Sequence, residues 1–142
     1  PSLALGEGIG LAAESVIFPG TEATEWLRHT VLPDTGIEYD GSDVADIHLA
    51  KNMLWGVWAN AALMAAEGRA NDDIADYLAQ WALYDDEITA VVPAMKPSPM
   101  SAYYLSYFHT WNLVRYLAAD AGAMFKLLTE HWLPRDVTRL VR

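Results

Sequence analysis

The feature that most constrains the fold is a long apolar stretch in the middle of the chain, SDVADIHLAKNMLWGVWANAALMAAE, followed by Gly68. Ser42 at its start is a favourable helix cap, and a glycine just beyond a helix commonly ends it. The first half has one apolar face, whereas the second half is apolar nearly all round, which predicts a central, buried helix. Its longest uncharged run, from Asn52 to Ala66, is too short to span a bilayer.

The rest of the chain also has the hydrophobic period of helices. The first candidate runs from Leu3 to about Ile17 and ends at Phe18-Pro19-Gly20. Further helices are predicted for TEATEWLRHTVL with Thr21 as its cap, NDDIADYLAQWAL with Asn71 as its cap, DDEITAVV from Asp85, SAYYLSYFHTWNLVRYLAAD from Ser101, AGAMFKLLTEHW, and PRDVTRLVR. Prolines predict a turn at Pro33–Gly36 and a rigid loop at Lys96–Pro99. The fold class is therefore all-α, a bundle-like array of seven to eight helices around the long buried one.

Length and composition indicate one globular domain over residues 1–142. The chain is 53% hydrophobic, and its net charge of −10 argues against nucleic acid or an anionic membrane as a partner. The absence of cysteine excludes disulfides and thiolate metal sites. No signal-peptide pattern is seen, which favours a cytoplasmic location. Because the chain begins with Pro1 inside an apolar pattern, we expect it to be a fragment of a longer protein.

One acid lies among glycines near the start of the chain, in the segment GEGIG. Each glycine inside a helix costs about 1 kcal/mol relative to alanine. One interpretation is that these glycines let another helix approach, so that Glu7 reaches across a narrow gap. The other is that Gly6 and Gly10 serve tight packing only and that Glu7 is incidental. Glu14, seven residues further on, lies near the same helical face.

The aromatic helix from Ser101 carries a second candidate group. Tyr104 and Tyr107 are three residues apart and therefore share a face. A phenol that points into a cleft can donate a hydrogen bond to a developing oxyanion. Aromatic helices more often belong to a hydrophobic core, so both interpretations stay open at this point.

The histidines do not form a recognisable metal motif. They are far apart in sequence, and no H-E-x-x-H is present to place two ligands on one helical face. Surface or hydrogen-bonded roles are therefore expected for all four, His29, His48, His109 and His131.

Several segments resemble one known family. GEGIGLAAE resembles E-G-W-A-L-Y-A-E, the motif of a large bacterial family of helical zinc-peptidase-like proteins of unknown function, related to the gluzincins. The E-x-x-G spacing is also similar to the third-ligand segment of angiotensin-converting-enzyme-like peptidases. GRANDDIADYLAQWAL resembles the family's G-x-x-x-x-x-A-x-x-Y-L segment, and SAYYLSYFHTWNLVRYL its P-x-x-A-x-x-Y stretch leading to a basic residue, here Arg115. FKLLTEHWLPRDVTRL resembles its closing segment. Ile9 and Ala12 replace the family's Trp and Tyr.

The resemblance implies the C-terminal helical portion of a zinc-metallopeptidase-like hydrolase. In such proteins H-E-x-x-H supplies two histidine ligands and the general base, and a later glutamate is the third zinc ligand. Glu7 would be that ligand, and Glu14 would be a group that supports it. Tyr107, with Tyr104 one turn earlier, would contact the tetrahedral intermediate and the substrate terminus.

The implied cofactor and partners belong to the longer protein. They are zinc, a peptide substrate and the missing N-terminal part that would carry H-E-x-x-H. The chain alone is expected to be inert and to hold no cofactor, because a single carboxylate binds Zn²⁺ poorly.

Two other functions stay open on the sequence. One is a non-enzymatic helical interaction domain that forms a homodimer or binds a partner through exposed aromatic side chains. The other is a small-ligand-binding bundle with a pocket lined by Trp55, Trp58, Tyr104 and Tyr107.

The metallopeptidase hypothesis makes a prediction about the gene. Reading the codons upstream of Pro1 should show an in-frame H-E-x-x-H, and the longer protein should bind zinc stoichiometrically. An in-frame start codon directly before Pro1, with no such motif, would refute the hypothesis.

Overall fold

The computed structural model describes residues 2–82, residue 92 and residues 101–140. The regular structure in these ranges is helical, without a strand, which confirms the all-α class. The elements are α1 (Leu3–Ile17), α2 (Glu22–Trp26), a π-helical turn (Leu27–Val31), α3 (Leu32–Thr35), α4 (Val44–Ala66), α5 (Asn71–Trp81), α6 (Ser101–Val114), α7 (Ala121–Thr129) and α8 (Pro134–Leu140). Apart from Val92, the predicted helix from Asp85 and the loop at Lys96–Pro99 lie outside the described residues.

Two of the predicted helix caps are wrong by one residue. The long helix α4 is capped by Asp43 and not by Ser42, because Asp43 has extended backbone and its Oδ1 accepts the N–H two residues on at 2.8 Å. Asn71 is the first residue of α5, and Ala70 stands at the cap position without a side-chain bond. Thr21 precedes α2 as predicted, but its backbone is helical and its hydroxyl caps nothing among the described residues.

The segment TEATEWLRHTVL is helical but changes its type along its length. The π-helical turn Leu27–Val31 follows α2 and directly precedes α3, which contains Pro33. Proline has no N–H to donate to the carbonyl four residues earlier, so a regular α-helical ladder cannot run through it. The predicted turn is therefore helical up to Thr35, and Gly36, with φ of 70°, ends it.

The aromatic helix is shorter than predicted. Regular helix ends at Val114, and turns follow up to residue 119. Asp120 then caps α7, because its Oδ1 accepts the backbone N–H groups of Gly122 and Ala123 at 2.8 and 3.0 Å. The carboxylate cap thus begins α7 at Ala121, the residue at which the predicted helix AGAMFKLLTEHW starts.

Two clusters of buried side chains form the core. The first joins α4 and α5 and contains Ala61, Ala62, Ile74, Ala75, Leu78, Ala82 and Val92. The second joins α1, α6, α7 and α8 and contains Leu5, Ile9, Ala12, Trp111, Val114, Met124, Leu127 and Val137. Helix α6 links them, because its Tyr104 packs on the first cluster and its Trp111 belongs to the second.

The long helix α4 packs against α2, α5 and α6. Ala59, Ala61 and Ala62 in its second half are buried, whereas Leu63 is 44% exposed. One side of its apolar second half is thus uncovered in the part of the chain that the structure describes. No single helix there is long and apolar enough to cross a bilayer; only α1 and Glu22–Thr35 taken together meet that criterion, with a 73° bend between them.

Gly8 is the glycine that brings α1 against α6. A Cβ at Gly8 would lie 2.6 Å from the carbonyl oxygen of Thr110, closer than any side chain can approach. Thr110 is itself buried. Its hydroxyl donates a hydrogen bond to the Ser106 carbonyl of the same helix, so this polar group has a partner although it lies in the helix contact. At Gly6 and Gly10 a Cβ would meet nothing within 4 Å among the described residues. The packing role considered for Gly6 and Gly10 therefore belongs to Gly8.

Gly8 and Gly10 give a matched pair of stability predictions. Gly8→Ala should lower the free energy of unfolding by about 1–3 kcal/mol, because α1 must move away from Thr110. Gly10→Ala should raise it by about 0.5–1 kcal/mol, because alanine favours the helix and meets no neighbour. Denaturant unfolding of both variants measures the difference. Equal effects of the two substitutions would contradict the assigned close contact.

Candidate functional site

The structure brings Glu7 on α1 together with two tyrosines of α6. The phenol of Tyr103 donates a hydrogen bond to Glu7 Oε1, across 96 positions of sequence. The Tyr107 ring stands edge-on to the Tyr103 ring, with centroids 5.1 Å apart and planes at 87°. Glu7 and both tyrosines are half-buried. The α1–α6 contact at Gly8, the residue next to Glu7, sets this placement.

Helix α4 completes the arrangement through Trp55. Its indole stacks on the Tyr107 ring with centroids 4.2 Å apart and an interplanar angle of 12°. Offset-stacked and edge-to-face aromatic contacts restrict ring rotation and hold each ring in a single orientation. We call Glu7, Trp55, Tyr103 and Tyr107 the Glu7 cluster.

The phenols of the Glu7 cluster stay protonated. The hydrogen bond to the Glu7 carboxylate is the main cause that raises the pKa of Tyr103 far above the usual value for a phenol. Burial is the main cause that raises the pKa of Tyr107; the hydrogen bond with Tyr103 opposes this effect, and the hydrogen bond with Glu7 adds to it. Both side chains are therefore hydrogen-bond donors at any ordinary pH.

Tyr104 lies on a different side of α6 from the Glu7 carboxylate. Its ring is 6.4 Å from those of Trp55 and Trp58 and packs on the α4–α5 core. No hydrogen bond joins it to Glu7 among the described residues. The four rings proposed to line a ligand pocket, with Tyr107 as the fourth, instead stack on one another.

Glu14 is engaged elsewhere. Its Oε2 lies 2.6 Å from Nδ1 of His48 on α4. The seven-residue spacing from Glu7 places Glu14 two turns along α1, about 10 Å away along the helix axis. The structure therefore brings Glu7 and Tyr107 together and places Glu14 in a separate contact with His48.

The remaining histidines are not near Glu7. His29 pairs with Glu25 of the same helical segment at 3.1 Å, and His109 and His131 are exposed. In the ranges that the structure covers, no three His, Asp or Glu side chains are placed to hold a metal ion. Glu7 is thus a single carboxylate with phenol partners, and further ligands would have to come from outside these residues.

Sequence reasoning missed Tyr103 and Trp55 as members of the cluster. The i, i+3 pair of Tyr104 and Tyr107 drew attention, but Tyr103 and Tyr107 are an i, i+4 pair and share a helical face equally well. Which of the two pairs contacts Glu7 depends on which side of α6 packs against α1. The sequence indicates Trp55 only as a residue that lines a ligand pocket, because its stacking on Tyr107 in the Glu7 cluster depends on how α4 crosses α6.

Comparison with known proteins gives no further guide to this site. No protein-family model, no curated protein sequence and no solved structure matches the chain.

The raised pKa of Tyr103 predicts how stability depends on pH. A phenol whose pKa is higher in the folded than in the unfolded chain stabilises the fold below about pH 10, and this contribution is lost as the pH rises further. The free energy of unfolding should therefore fall at alkaline pH, and Tyr103→Phe should make that fall less steep. Tyr77→Phe, which removes a phenol outside the cluster, is the control. Identical pH profiles for all three proteins would contradict the assignment.

Proposed function

We propose that this chain is the C-terminal helical portion of a zinc-metallopeptidase-like hydrolase. Glu7 supplies one zinc ligand, and Tyr107 stabilises the developing oxyanion. The Glu7 cluster is the observation that carries the proposal. Glu7 and Tyr107 come from two separate motifs of the resemblance, and they converge at the contact of α1 with α6.

The side chains around Glu7 are suited to supply one ligand of a zinc site. Carboxylates are common zinc ligands, and ligating groups are usually oriented by a hydrogen bond from a neighbouring side chain. Tyr103 gives Glu7 such a bond. The described residues add no second ligand, so H-E-x-x-H of the missing part would supply the histidines. When bound, zinc would activate a water molecule for attack on a peptide carbonyl.

Tyr107 is suited to act as a hydrogen-bond donor in peptide hydrolysis. Its raised pKa keeps the phenol protonated, so that it can donate to the negative charge that develops on the carbonyl oxygen. The stacked Trp55 fixes the ring before substrate binds, and a preorganised donor needs little rearrangement during the reaction. Tyr104 is assigned a supporting role, because it braces Trp55 and Trp58.

The outer side of α1 offers room for the missing zinc-binding helix. Leu3 is 73% exposed, and Gly6 and Gly10 are exposed on the same stripe of the helix, with open space where a Cβ would be. Small residues in such a stripe allow the backbone of another helix to approach closely. Because Glu7 is next to Gly6, a helix docked there would bring its ligands near the carboxylate.

A second candidate function is supported by the exposed apolar side chains. Trp81 is 55%, Phe125 66% and Leu128 57% exposed, and Phe125 and Leu128 lie on one face of α7. Such a face is typical of surfaces that bind another protein or a second copy of the chain. A non-enzymatic interaction domain would use this surface and would not need the Glu7 cluster.

The experiment that tests the proposal uses the longer protein. Glu7→Gln should lower the zinc content and abolish peptide hydrolysis, because a neutral amide is a weak zinc ligand. Tyr107→Phe should keep the zinc and lower kcat by about 10²–10³-fold, the usual cost of losing one oxyanion donor. Metal analysis and peptide-cleavage rates measure the two effects separately.

Glu38→Gln is the matched control, because Glu38 is an exposed carboxylate in the loop before α4. It should change neither zinc content nor hydrolysis. If Glu7→Gln behaves like this control in both measurements, Glu7 is not a metal ligand, and the interaction domain becomes the better explanation of the chain.

A further inference from the structure

A cavity of about 350 Å³ lies between α1, α2, α4 and α6. None of the Glu7 cluster residues lines it. Its walls include the apolar side chains of Leu11, Phe18, Leu49 and Trp111. Pockets for small organic ligands start at about 300 Å³ and combine apolar walls with a few polar groups. The size and the walls of this cavity therefore suit a small molecule with an apolar body.

Asn52 is the first polar group in the cavity that lacks a partner. Its side chain lines the cavity and the residue is only 8% exposed, yet it makes no hydrogen bond to the described residues. The amide atoms are accessible from the cavity, because among the described residues Trp132 Nε1 is the fully buried side-chain polar atom that lacks a partner, and the Asn52 amide is not. Its position on α4, one turn after His48, thus presents an unused donor and acceptor to whatever fills the cavity.

Arg115 is the second polar group, and it supplies charge. Its Nε donates to Asn112 Oδ1 at 3.0 Å, its Nη2 donates to the Tyr116 hydroxyl at 2.7 Å, and its guanidinium lies 5.0 Å from the Trp111 ring centroid. Within the described ranges no carboxylate forms an ion pair with it, although the chain has nineteen acids and nine bases. A guanidinium fixed in this way is preorganised to bind an anion.

The carboxylate that lines the cavity, Glu14, contacts another side chain and not Arg115. Glu14 lies 2.6 Å from His48 Nδ1, so its carboxylate is engaged and does not compete for Arg115. One unpaired cation beside one neutral amide matches the single charge of a carboxylate. A phosphate dianion would need further cations to balance its second charge.

We infer that the cavity binds a small organic carboxylate with an apolar body. Arg115 and the Asn52 amide hold the carboxylate, and Trp111 and Leu11 pack against the body. The inference does not depend on the proposed metallopeptidase function, because the two sites share no residue.

Calorimetric titration of the chain with three ligands of one shape tests the charge. Phenylacetate should bind with a Kd on the order of 1 mM or tighter. Phenylacetamide should bind about tenfold or more weakly, because the charge-assisted hydrogen bond is lost, and phenethylamine should not bind measurably. Equal affinity for the acid and the amide, or no saturable binding of phenylacetate, would overturn the inference.

Two variants locate the site. Arg115→Gln should weaken phenylacetate binding about tenfold or more, whereas Arg139→Gln, at an exposed arginine of α8, should leave it unchanged. Asn52→Leu should also weaken binding, and it should unfold at the same or a higher temperature than the parent, because an unpartnered amide is replaced by an apolar group of similar size. Unchanged phenylacetate affinity in Asn52→Leu would exclude Asn52 from the site even if Arg115→Gln does not fold.

Discussion

The close approach of α1 to α6 at Gly8 is the contact on which both candidate sites depend. A side chain at this position would meet the backbone of Thr110, so only glycine lets the two helices lie this close. The tightness of the contact places the Glu7 carboxylate within hydrogen-bonding reach of Tyr103. It also brings the far end of α1 beside Trp111, which forms one wall of the cavity. A small change in the helix separation would therefore alter both sites.

Helix α6 presents its functional side chains in one row. Tyr103, Tyr107 and Trp111, with Arg115 directly after the last helical residue, follow each other at intervals of four residues, the spacing of neighbours along a helix surface. The first two belong to the Glu7 cluster and the last two to the cavity. Glu7 and Glu14 stand two turns apart on α1 in the same way. The seam between α1 and α6 thus has two chemically different ends, separated by the Gly8–Thr110 contact and the buried residues around it.

Much of the fold could be predicted from the sequence, because hydrophobic period and glycine terminators act locally. The bounds of α1 and the all-α class are confirmed. The start of α7 at Ala121 agrees with the predicted segment AGAMFKLLTEHW, whereas the cap of α4 is wrong because Asp43 takes the position expected for the neighbouring Ser42. The turn predicted at Pro33–Gly36 is helical up to Thr35, and the π-helical turn that precedes it has no signature in residue type alone.

The candidate site could be predicted only in part, because its geometry depends on contacts between distant elements. Glu7 and Tyr107 could be proposed from motifs, but the choice of Tyr103 over Tyr104 as the direct partner of Glu7 depends on which side of α6 faces α1. Gly8 rather than Gly6 or Gly10 makes the helix contact for the same reason. The cavity could not be predicted from any sequence motif, because its lining residues come from four helices and the loop after α1.

Two charged side chains along the α1–α6 seam lack an oppositely charged partner among the described residues. Among the described residues, Glu7 has phenol donors but no cation, and Arg115 has neutral partners but no carboxylate. Glu7 at one end could therefore pair with a cation, and Arg115 at the other end could pair with an anion, from outside the described residues. In the two proposals, Glu7 would hold a metal ion at one end of the seam, and Arg115 would hold the carboxylate of a small ligand at the other.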